Sequence, residues 1–386
     1  MTDTAPFGIL LIGGAHTHQE NYAPAFAADP RCRLIGLTDE PNLPLRRQGL
    51  NLRLAAALDV PYLEDLDEAL GREDVHAVCL CAEPERRGRL AVRAARAGKH
   101  LYIDKPLAAS VADVRAVVSA VEEAGVVCQM FSLVRIPLAE RARQIVASGR
   151  LGKLIGLHCE LLFAKGRGGT ANLSRPRRES PQAERFTFID SKRELYCVGL
   201  YPLVLFGWLT GESVTNVFAI TSNFFFAEHQ QNNVEDFATV SMRLSGGIDA
   251  TITVGRTGWS SHPASGIHQL HLIGTEGSET IDAFRPRLET YSDVSPWTQP
   301  EHSHPEDPMG FWSSSQREVG AQPKSSWHPV DSAVASDASH FVDCLETGQP
   351  SDVPAALGAH AVEVILAAYE SAAENRAVDL PRPAVQ

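Results

Sequence analysis

The sequence predicts an α/β protein with two parts: an N-terminal, doubly wound parallel sheet, and a C-terminal α+β domain with a large, open, mainly antiparallel sheet. In the first third of the 386 residues, short apolar segments alternate with segments of helical pattern. Such alternation is typical of a parallel sheet that is covered by helices on both faces. After about residue 135, long strand-like segments follow one another with few helices between them, which favours antiparallel pairing.

Buried strands and the helices between them account for the first part. The strands are predicted in "FGILLIGG", "CRLIGLTDE", "VHAVCLCAE", "HLYIDKP" and "VCQMFSLV". The segment "ERRGRLAVRAARAGK" has the pattern of an amphipathic helix that ends at Gly98. In "SVADVRAVVSAVEEAGV", Ser110 is the expected N-cap and Gly125 is the expected end of the helix.

The second part begins with a helix in "PLAERARQIVASGRLG" and continues with strands in "KLIGLHCELLFA", "VTNVFAITSNFFF", "DFATVSMRLSGGIDATITVGRT" and "IHQLHLIGTEGSETIDAF". Within these, "SGGID" predicts a hairpin turn. Two stretches, Lys165–Glu184 and Pro286–Pro329, are predicted to be surface loops, and the second is longer than a plain connection. Two closing helices are predicted in "DASHFVDCLETG" and "ALGAHAVEVILAAYESAAEN".

Composition excludes several classes of function. The formal net charge of −12 argues against a nucleic-acid groove, because phosphate binding needs a basic face. No apolar run approaches the roughly 18–20 residues that span a bilayer, and no basic residues precede the first apolar run, so we expect neither a membrane span nor a secretion signal. The seven cysteines form no Cys-x-x-Cys pair. We therefore expect reduced core cysteines and a cytoplasmic protein.

The stretch "ILLIGGAHTHQENY" predicts the turn that seats a dinucleotide pyrophosphate. It follows a strand and opens a helix, with Gly13 and Gly14 in the turn. Ala15 stands where a second fingerprint glycine is usual, and His18 stands in place of the third small residue. The next strand ends in Asp39, whose carboxylate can accept hydrogen bonds from ribose hydroxyls and would repel a 2′-phosphate. The pattern favours NAD over NADP, although the basic pair that follows, Arg46 and Arg47, could soften that preference.

The two histidines of this turn suggest a metal site as an alternative interpretation. His16 and His18 have no cysteine or carboxylate partner nearby in the sequence, and two histidines alone do not make a site. We therefore expect no metal, and interpret these histidines as groups for a phosphate-side hydrogen bond or for packing at the helix start.

A more specific feature is "AGKHLYIDKPLAAS" (Ala97–Ser110), which resembles the "aGKHvlxEKPla" signature of the Gfo/Idh/MocA oxidoreductase family. Further segments keep the order of that family: "VRIPLAERARQIVASGRLGKL", "LYCVGLYPLVLFGWLTG", "LIGTEGS" and "FVDCLETGQPSDVPAALGAHAVEVILAAYESA". The resemblance covers the chain apart from the two long loops. It is closest to the glucose–fructose oxidoreductase and dimeric dihydrodiol dehydrogenase branch, whose pattern is similar to "lyDvGvYpL".

The resemblance implies a domain organisation. Residues 1–134 would form a dinucleotide-binding Rossmann domain, residues 135–333 would form a substrate and oligomerisation domain, and the closing helices in 334–386 would pack back toward the first domain. It also implies a homodimer or homotetramer that assembles through the open sheet.

The resemblance further implies a hydride transfer between a carbinol carbon and nicotinamide. Lys105 matches the catalytic lysine of the family, Asp104 replaces the usual glutamate, and Pro106 is expected to follow a cis bond. Tyr201 matches the general acid/base position, and its pKa of about 10 would have to be lowered by a neighbouring cation such as Lys105. The site as a whole is expected to use two groups of residues: for the cofactor, Gly13, Gly14, Ala15, His16, Thr17, His18, Asp39, Ala82, Glu83, Asp104, Lys105, Pro106 and Arg135; for the substrate, Lys105, Cys197 and Tyr201.

Two positions depart from the family pattern. Cys197 stands where the family has an aspartate, and Val204 stands where it has another carboxylate. A thiol cannot orient a lysine or accept a proton as a carboxylate does. The sequence therefore predicts an NAD(P)-dependent oxidoreductase of a sugar, polyol or cyclic alcohol, and leaves open the alternative of a ligand-binding family member with little or no turnover.

Overall fold

The computed structural model describes residues 6–13, 18–163, 169–180, 186, 191–257, 266–283, 287–292, 326–327 and 336–381. The chain forms two compact units. The first unit comprises residues 1–132 and 335–363, and the second comprises residues 133–334 and 364–386.

The first unit contains a six-stranded parallel sheet. Its strands are β1 (Phe7–Ile12), β2 (Cys32–Thr38), β3 (Tyr62–Leu63), β4 (Ala77–Leu80), β5 (His100–Ile103) and β6 (Cys128–Met130). Their order in the sheet is β3-β2-β1-β4-β5-β6, and every neighbouring pair is parallel. The order reverses between β1 and β4, and in open α/β sheets ligands bind at the carboxyl ends of the strands at such a switch point.

Helices connect these strands. They are α1 (Gln19–Ala28), α2 (Leu45–Ala57), α3 (Leu66–Gly71), α4 (Pro84–Arg96) and α5 (Val111–Ala124). The predicted N-cap of α5 is confirmed, since the Ser110 side chain accepts a hydrogen bond from the backbone of Asp113, and Gly125 ends the helix in the left-handed conformation. A core of apolar side chains fills the unit, with Ile9, Leu11, Phe26, Tyr102 and Phe341 at its centre.

The second unit contains a nine-stranded sheet. Its strands are β7 (Leu154–Phe163), β8 (Val214–Ser222), β9 (Phe237–Leu244), β10 (Asp249–Arg256), β11 (Gly266–Gly274), β12 (Gly277–Asp282), β13 (Arg287–Ser292), β14 (Ser326–Trp327) and β15 (Val378–Asp379). The order is β14-β13-β12-β11-β7-β10-β9-β8-β15, and only β7 and β10 pair in parallel among these strands. The predicted hairpin is confirmed between β9 and β10, where Gly247 has a φ of 80°.

The remaining helices of the described residues are α6 (Pro137–Ala147), α7 (Glu194–Val198), α8 (Leu200–Thr210), α9 (Ala227–Gln231), α10 (Asp337–Thr347) and α11 (Ala355–Glu374). Among the helices of the described ranges, none is long and apolar enough to cross a bilayer.

The loop prediction for Pro286–Pro329 is wrong in part, and the one for Lys165–Glu184 is confirmed over the residues that the structure describes. The stretch Pro286–Pro329 includes strands β13 and β14, so it is not a loop throughout, because its first residues extend the edge of the second sheet. Residues 169–180, the described part of the stretch Lys165–Glu184, contain no helix or strand and are mostly exposed, as predicted, although two side chains are buried. The Arg177 and Glu179 side chains are each only 1% exposed, because they pair with each other inside the second unit.

Candidate active site

Gly13, directly after β1, has a backbone conformation that suits the start of a dinucleotide-binding turn. Gly13 has a φ of 67°, which favours glycine, and its amide donates to the Thr38 carbonyl at 2.9 Å. A Cβ at this position would lie 3.3 Å from both the Ala82 Cα and an Asp39 carboxylate oxygen. Both the backbone conformation and the limited space for a Cβ therefore favour glycine at position 13. The neighbouring predicted cofactor residues Gly14, Ala15, His16 and Thr17 lie outside the described residues.

His18 opens helix α1 and contacts the end of another strand. It adopts the left-handed conformation, with a φ of 75°, immediately before the helix. Its Nδ1 lies 3.1 Å from the Asp104 carboxylate, and its carbonyl accepts hydrogen bonds from the backbone of Asn21 and Tyr22. The left-handed turn explains how a histidine fits where a small residue is usual, since the side chain is directed to Asp104.

Asp104 follows β5 and connects three other side chains. Its carboxylate accepts a hydrogen bond from the Tyr22 hydroxyl at 2.8 Å and pairs with the Arg87 guanidinium at 2.9 Å, in addition to the contact with His18. Burial opposes ionisation of this group, but the Arg87 charge and the His18 hydrogen bond together lower the pKa of Asp104 below its ordinary value. Asp104 is therefore a buried carboxylate anion.

Arg87 holds the end of β5 to the end of β4. Its side chain is 2% exposed and donates two hydrogen bonds to the Ala82 carbonyl, at 2.7 and 3.1 Å, and one to the Pro106 carbonyl. Together with the ion pair to Asp104, these contacts fix the backbone on both sides of Lys105. Arg87 therefore supports the end of β5 from within the core.

Lys105 itself is 9% exposed and lies between Asp104 and Pro106. The peptide bond between Lys105 and Pro106 is cis, as the resemblance predicted. A lysine this well enclosed at the carboxyl edge of the sheet is held by surrounding structure, in contrast to an exposed surface lysine.

Asp39 lies at the end of β2, as predicted, but its carboxylate is already surrounded. One oxygen accepts from Arg86 at 2.7 Å and from the Glu40 amide at 2.8 Å; the other accepts from Asn51 at 2.8 Å and from Arg86 at 3.3 Å. The Asp39 side chain is fully buried. The carboxylate expected to bind ribose hydroxyls is thus covered by Arg86 in this structure.

Ala82 and Glu83 follow β4 in the first unit, and Arg135 belongs to the second unit. Ala82 is 1% exposed and presents its carbonyl to Arg87. Glu83 precedes helix α4 and pairs with Arg86 at 2.7 Å and with Arg47. Arg135 lies in the turn before α6. The ends of β1, β2, β4 and β5 thus bring together four of the predicted cofactor residues: Gly13, Asp39, Ala82 and Asp104.

The second unit carries Cys197 and Tyr201 on two short consecutive helices. Cys197 lies in α7 and Tyr201 is the second residue of α8, and both are partly buried. The helices meet at Gly199, where a Cβ would lie 2.5 Å from the Leu195 carbonyl oxygen, so only glycine fits. Val204 is completely buried, which means that the position of the missing family carboxylate is part of the apolar core.

A buried charge network holds the start of α7. Glu235 accepts hydrogen bonds from the Leu195 amide at 3.1 Å and from the Tyr369 hydroxyl at 2.7 Å. Arg193 pairs with Glu235 at 3.3 Å, and its guanidinium lies over the Tyr369 ring at 4.8 Å. Burial raises the pKa of Glu235, and the nearby arginines oppose that shift. The helix that carries Cys197 is therefore attached to the core through ions as well as apolar packing.

Sequence reasoning missed Arg86, Tyr22 and Glu235. Arg86 is part of "EPERRG", next to Arg87. The available signal was the density of charge in a segment that directly follows a buried strand. Nothing in the sequence pattern marked Glu235 as the partner of a residue 42 positions away.

The described residues contain no group of three or more histidine, cysteine, aspartate or glutamate side chains that could hold a metal ion. His18 has a carboxylate partner in Asp104, but the second histidine of the proposed pair lies outside the described residues.

Comparison with known families matches both parts of the chain. The model of the GFO/IDH/MocA oxidoreductase family with an NAD-binding Rossmann fold matches residues 7–132. The model of the GFO/IDH/MocA C-terminal domain matches residues 139–279.

Curated relatives match parts of the chain. A 4-carboxy-2-hydroxymuconate-6-semialdehyde dehydrogenase of Sphingobium is 44% identical over 66 residues, which is 17% of this chain and 21% of the relative. An NAD(+)-dependent scyllo-inositol 2-dehydrogenase of Bacillus subtilis is 26% identical over 228 residues, which is 58% of this chain and 60% of the relative. Each of these two matches thus covers less than two thirds of this chain and less than two thirds of the relative.

Solved structures match over nearly the whole length. Levoglucosan dehydrogenase, in complex with NADH and levoglucosan, superimposes with a TM-score of 0.72 at 20% identity, covering 98% of this chain and 100% of that one. At this identity the likeness establishes the fold, which agrees with the parallel and mainly antiparallel sheets described above.

Proposed function

We propose that this chain, which belongs to the GFO/IDH/MocA oxidoreductase family, is an NAD-dependent dehydrogenase or reductase that transfers a hydride to or from a carbinol carbon. The substrate class that we propose is a sugar, polyol or cyclic alcohol. Two of the matched proteins are named for such compounds, a cyclitol and an anhydrosugar. The observation that carries the proposal is the enclosed end of β5, where Asp104 is held by His18, Tyr22 and Arg87 next to Lys105.

The first unit fits a dinucleotide. Gly13 combines a left-handed backbone with a position that a Cβ would fill, and helix α1 begins shortly after it. Amides at a helix start and a close backbone approach are what a pyrophosphate requires. Gly13, Ala82 and the segment Asp104–Pro106 would hold the cofactor. When bound, NAD supplies the hydride acceptor or donor at its nicotinamide ring.

Lys105 is proposed to bind the reacting oxygen. As a carbinol becomes a carbonyl, its hydroxyl must lose a proton, and an ammonium close to the oxygen stabilises the negative charge that develops. The contacts of Asp104 and Arg87 support this role because they fix the backbone before and after Lys105. A fixed backbone lowers the entropy that must be lost when substrate and lysine are aligned.

Tyr201 is proposed to carry the proton. A phenol is a competent acid/base when its pKa is brought toward neutrality by a cation. The partly buried position of Tyr201 in the first turn of α8 is compatible with this role. Cys197, in the preceding helix α7, lacks the carboxylate of the family pattern, so we expect proton transfer to depend on Tyr201 and Lys105 alone.

The test separates cofactor binding from turnover. NAD binding is measured by isothermal titration calorimetry, and turnover by the reduced-nicotinamide absorbance with scyllo-inositol, levoglucosan, aldoses and acyclic polyols. We expect Lys105→Ala to bind NAD and lose turnover. Tyr201→Phe should reduce turnover and change its pH profile. Lys99→Ala, which removes a lysine from the turn before the same strand, is the matched control and should retain turnover.

Two results would contradict the proposal. If the wild-type protein does not bind NAD, the cofactor assignment is wrong. If it binds NAD but turns over none of these substrates in either direction, the result favours a ligand-binding member of the family, which is the alternative that Cys197 suggests.

A further inference from the structure

The end of β2 carries a neutral cluster of charges rather than a lone carboxylate. Six side chains take part: Asp39, Glu40, Glu83, Arg47, Arg86 and Arg89. Three are carboxylates and three are guanidiniums, so their formal charges cancel. Within the first unit, this cluster stands at the position where a dinucleotide fold reads the adenosine ribose.

Arg86 is the centre of the cluster. It pairs with Asp39 at 2.7 Å, with Glu40 at 3.0 Å and with Glu83 at 2.7 Å. Its own side chain is 15% exposed, whereas that of Asp39 is fully buried. Burial lowers the pKa of Arg86, but its carboxylate partners, Asp39 above all, raise it overall, so the guanidinium stays charged. A ligand that approaches the end of β2 therefore meets Arg86 before it meets Asp39.

The outer members of the cluster also form ion pairs between a carboxylate and a guanidinium. Arg47, whose side chain is 17% exposed, pairs with Glu83, and Arg89 pairs with Glu40 at 2.7 Å. The pKa of Glu83 and that of Glu40 are both lowered: burial opposes this for each, and the neighbouring arginines overcome it. Each carboxylate that could repel a phosphate is thus matched by a guanidinium that could bind one.

In dinucleotide folds, the charge at the end of the second strand influences the discrimination between NAD and NADP. An exposed carboxylate after the second strand accepts hydrogen bonds from the 2′-hydroxyl and repels a 2′-phosphate, which carries about −1.5 to −2 charges near neutral pH, as other phosphate monoesters do. Here Asp39 has hydrogen-bond donors on both oxygens, and Arg86 and Arg47 offer donors suited to phosphate.

We propose that Arg86 sets the cofactor selectivity of this chain by neutralising Asp39, Glu40 and Glu83, so that the cofactor site accepts a 2′-phosphate as well as a 2′-hydroxyl. NADP then binds with a dissociation constant within about tenfold of that for NAD, a difference smaller than one unpaired charge in a partly buried site would produce. The proposal concerns binding alone and does not depend on the substrate class proposed above.

The experiment measures dissociation constants for NAD and NADP by isothermal titration calorimetry, at one ionic strength and without substrate. For the wild type we expect a ratio, NADP over NAD, below about ten. In Arg86→Gln, three carboxylates face two guanidiniums, and we expect the ratio to rise at least about tenfold, mainly through weaker NADP binding. Arg86→Lys keeps the charge and should keep a low ratio.

Two further variants guard against a merely structural effect. Asp39→Asn combined with Arg86→Gln removes one charge of each sign, restores neutrality and should return the ratio toward the wild-type value. Arg93→Ala removes an exposed arginine from the same helix, α4, where it pairs with Asp67, and should change neither constant. Circular dichroism of each variant confirms that it is folded before the titration.

The proposal is overturned by a wild-type ratio above tenfold in either direction, by an Arg86→Gln variant whose ratio is unchanged, or by a double variant that behaves like Arg86→Gln alone. Failure of the wild type to bind either dinucleotide would instead contradict the cofactor assignment. Binding of both dinucleotides without turnover would contradict the proposed enzyme activity and leave this inference intact.

Discussion

Replacing Glu235 with glutamine tests whether the buried ion network fixes helix α7. Glu235 is completely buried, and its carboxylate lies 3.3 Å from Arg193 and 3.6 Å from Arg177. It also accepts hydrogen bonds from the Leu195 amide and the Tyr369 hydroxyl. Glutamine retains the shape and one acceptor oxygen but removes the charge, which leaves two buried guanidiniums to share the single carboxylate of Glu179.

The size of the effect follows from burial. Removing one partner of a buried ion pair costs about 3–5 kcal/mol, because the remaining charge stays desolvated. Burial raises the pKa of Glu235, which shows that desolvation of this carboxylate offsets part of its attraction to the arginines. We therefore expect a cost at the lower end of that range, about 3 kcal/mol. If local opening of α7 exposes the network, amide exchange in this helix should accelerate by about a hundredfold.

Hydrogen exchange with mass spectrometry on the peptide that covers α7 measures this directly, and does not assume that the two units unfold together. Asp249→Asn is the matched control, because it removes the carboxylate of an exposed pair with Arg243 in the same unit and should leave exchange unchanged. If Glu235→Gln exchanges as slowly in α7 as the control does, the network does not hold the helix and the reasoning is refuted.

Three further predictions test the turn, the strand end and the second sheet. Gly13→Ala forces a non-glycine residue to a φ of 67° and should destabilise the protein by about 1–2 kcal/mol and weaken NAD binding in calorimetry; unchanged binding would contradict the role of this turn. Arg87→Met removes the guanidinium partner of the buried Asp104 carboxylate and leaves it only the contacts with His18 and Tyr22, so urea denaturation should show a loss of about 3 kcal/mol, together with reduced turnover. Burial lowers the pKa of His268 to about 4. Because the unfolded chain takes up a proton below about pH 6.5 and the folded chain does not until about pH 4, stability should fall by about 3 kcal/mol as the pH drops through this window. His268→Gln should remove that loss in urea titrations at several pH values, and a variant with the wild-type slope would refute the assignment.

The architecture of the chain was predictable because its strands and helices have strong, regular patterns. The five buried strands of the first unit all appear, and the one missed strand, β3, has only two residues. The alternation of β9 and β10 and the turn between them were equally clear. Local patterns of period 2 and 3.6 determine such elements, and the rules of parallel connection determine their order.

The chemistry of the site was only partly predictable. Lys105 and Asp39 follow their strands, so their places at the carboxyl edge could be inferred from the sequence. The partners of these residues could not, since Arg86 reaches Asp39 from 47 residues away and His18 reaches Asp104 from 86 residues away. Contacts over such separations depend on the packing of whole elements, which no local pattern encodes.

The measurement that tests the central claim most directly is the fate of the carbinol hydrogen. An active substrate is deuterated at its carbinol carbon and incubated with NAD and the protein. The reduced cofactor is then isolated, and its mass is measured by mass spectrometry. Direct hydride transfer predicts one deuterium in each molecule of NADH, formed by the wild-type protein and lost in Lys105→Ala. Deuterium that appears in solvent, or NADH that carries none, would contradict the account.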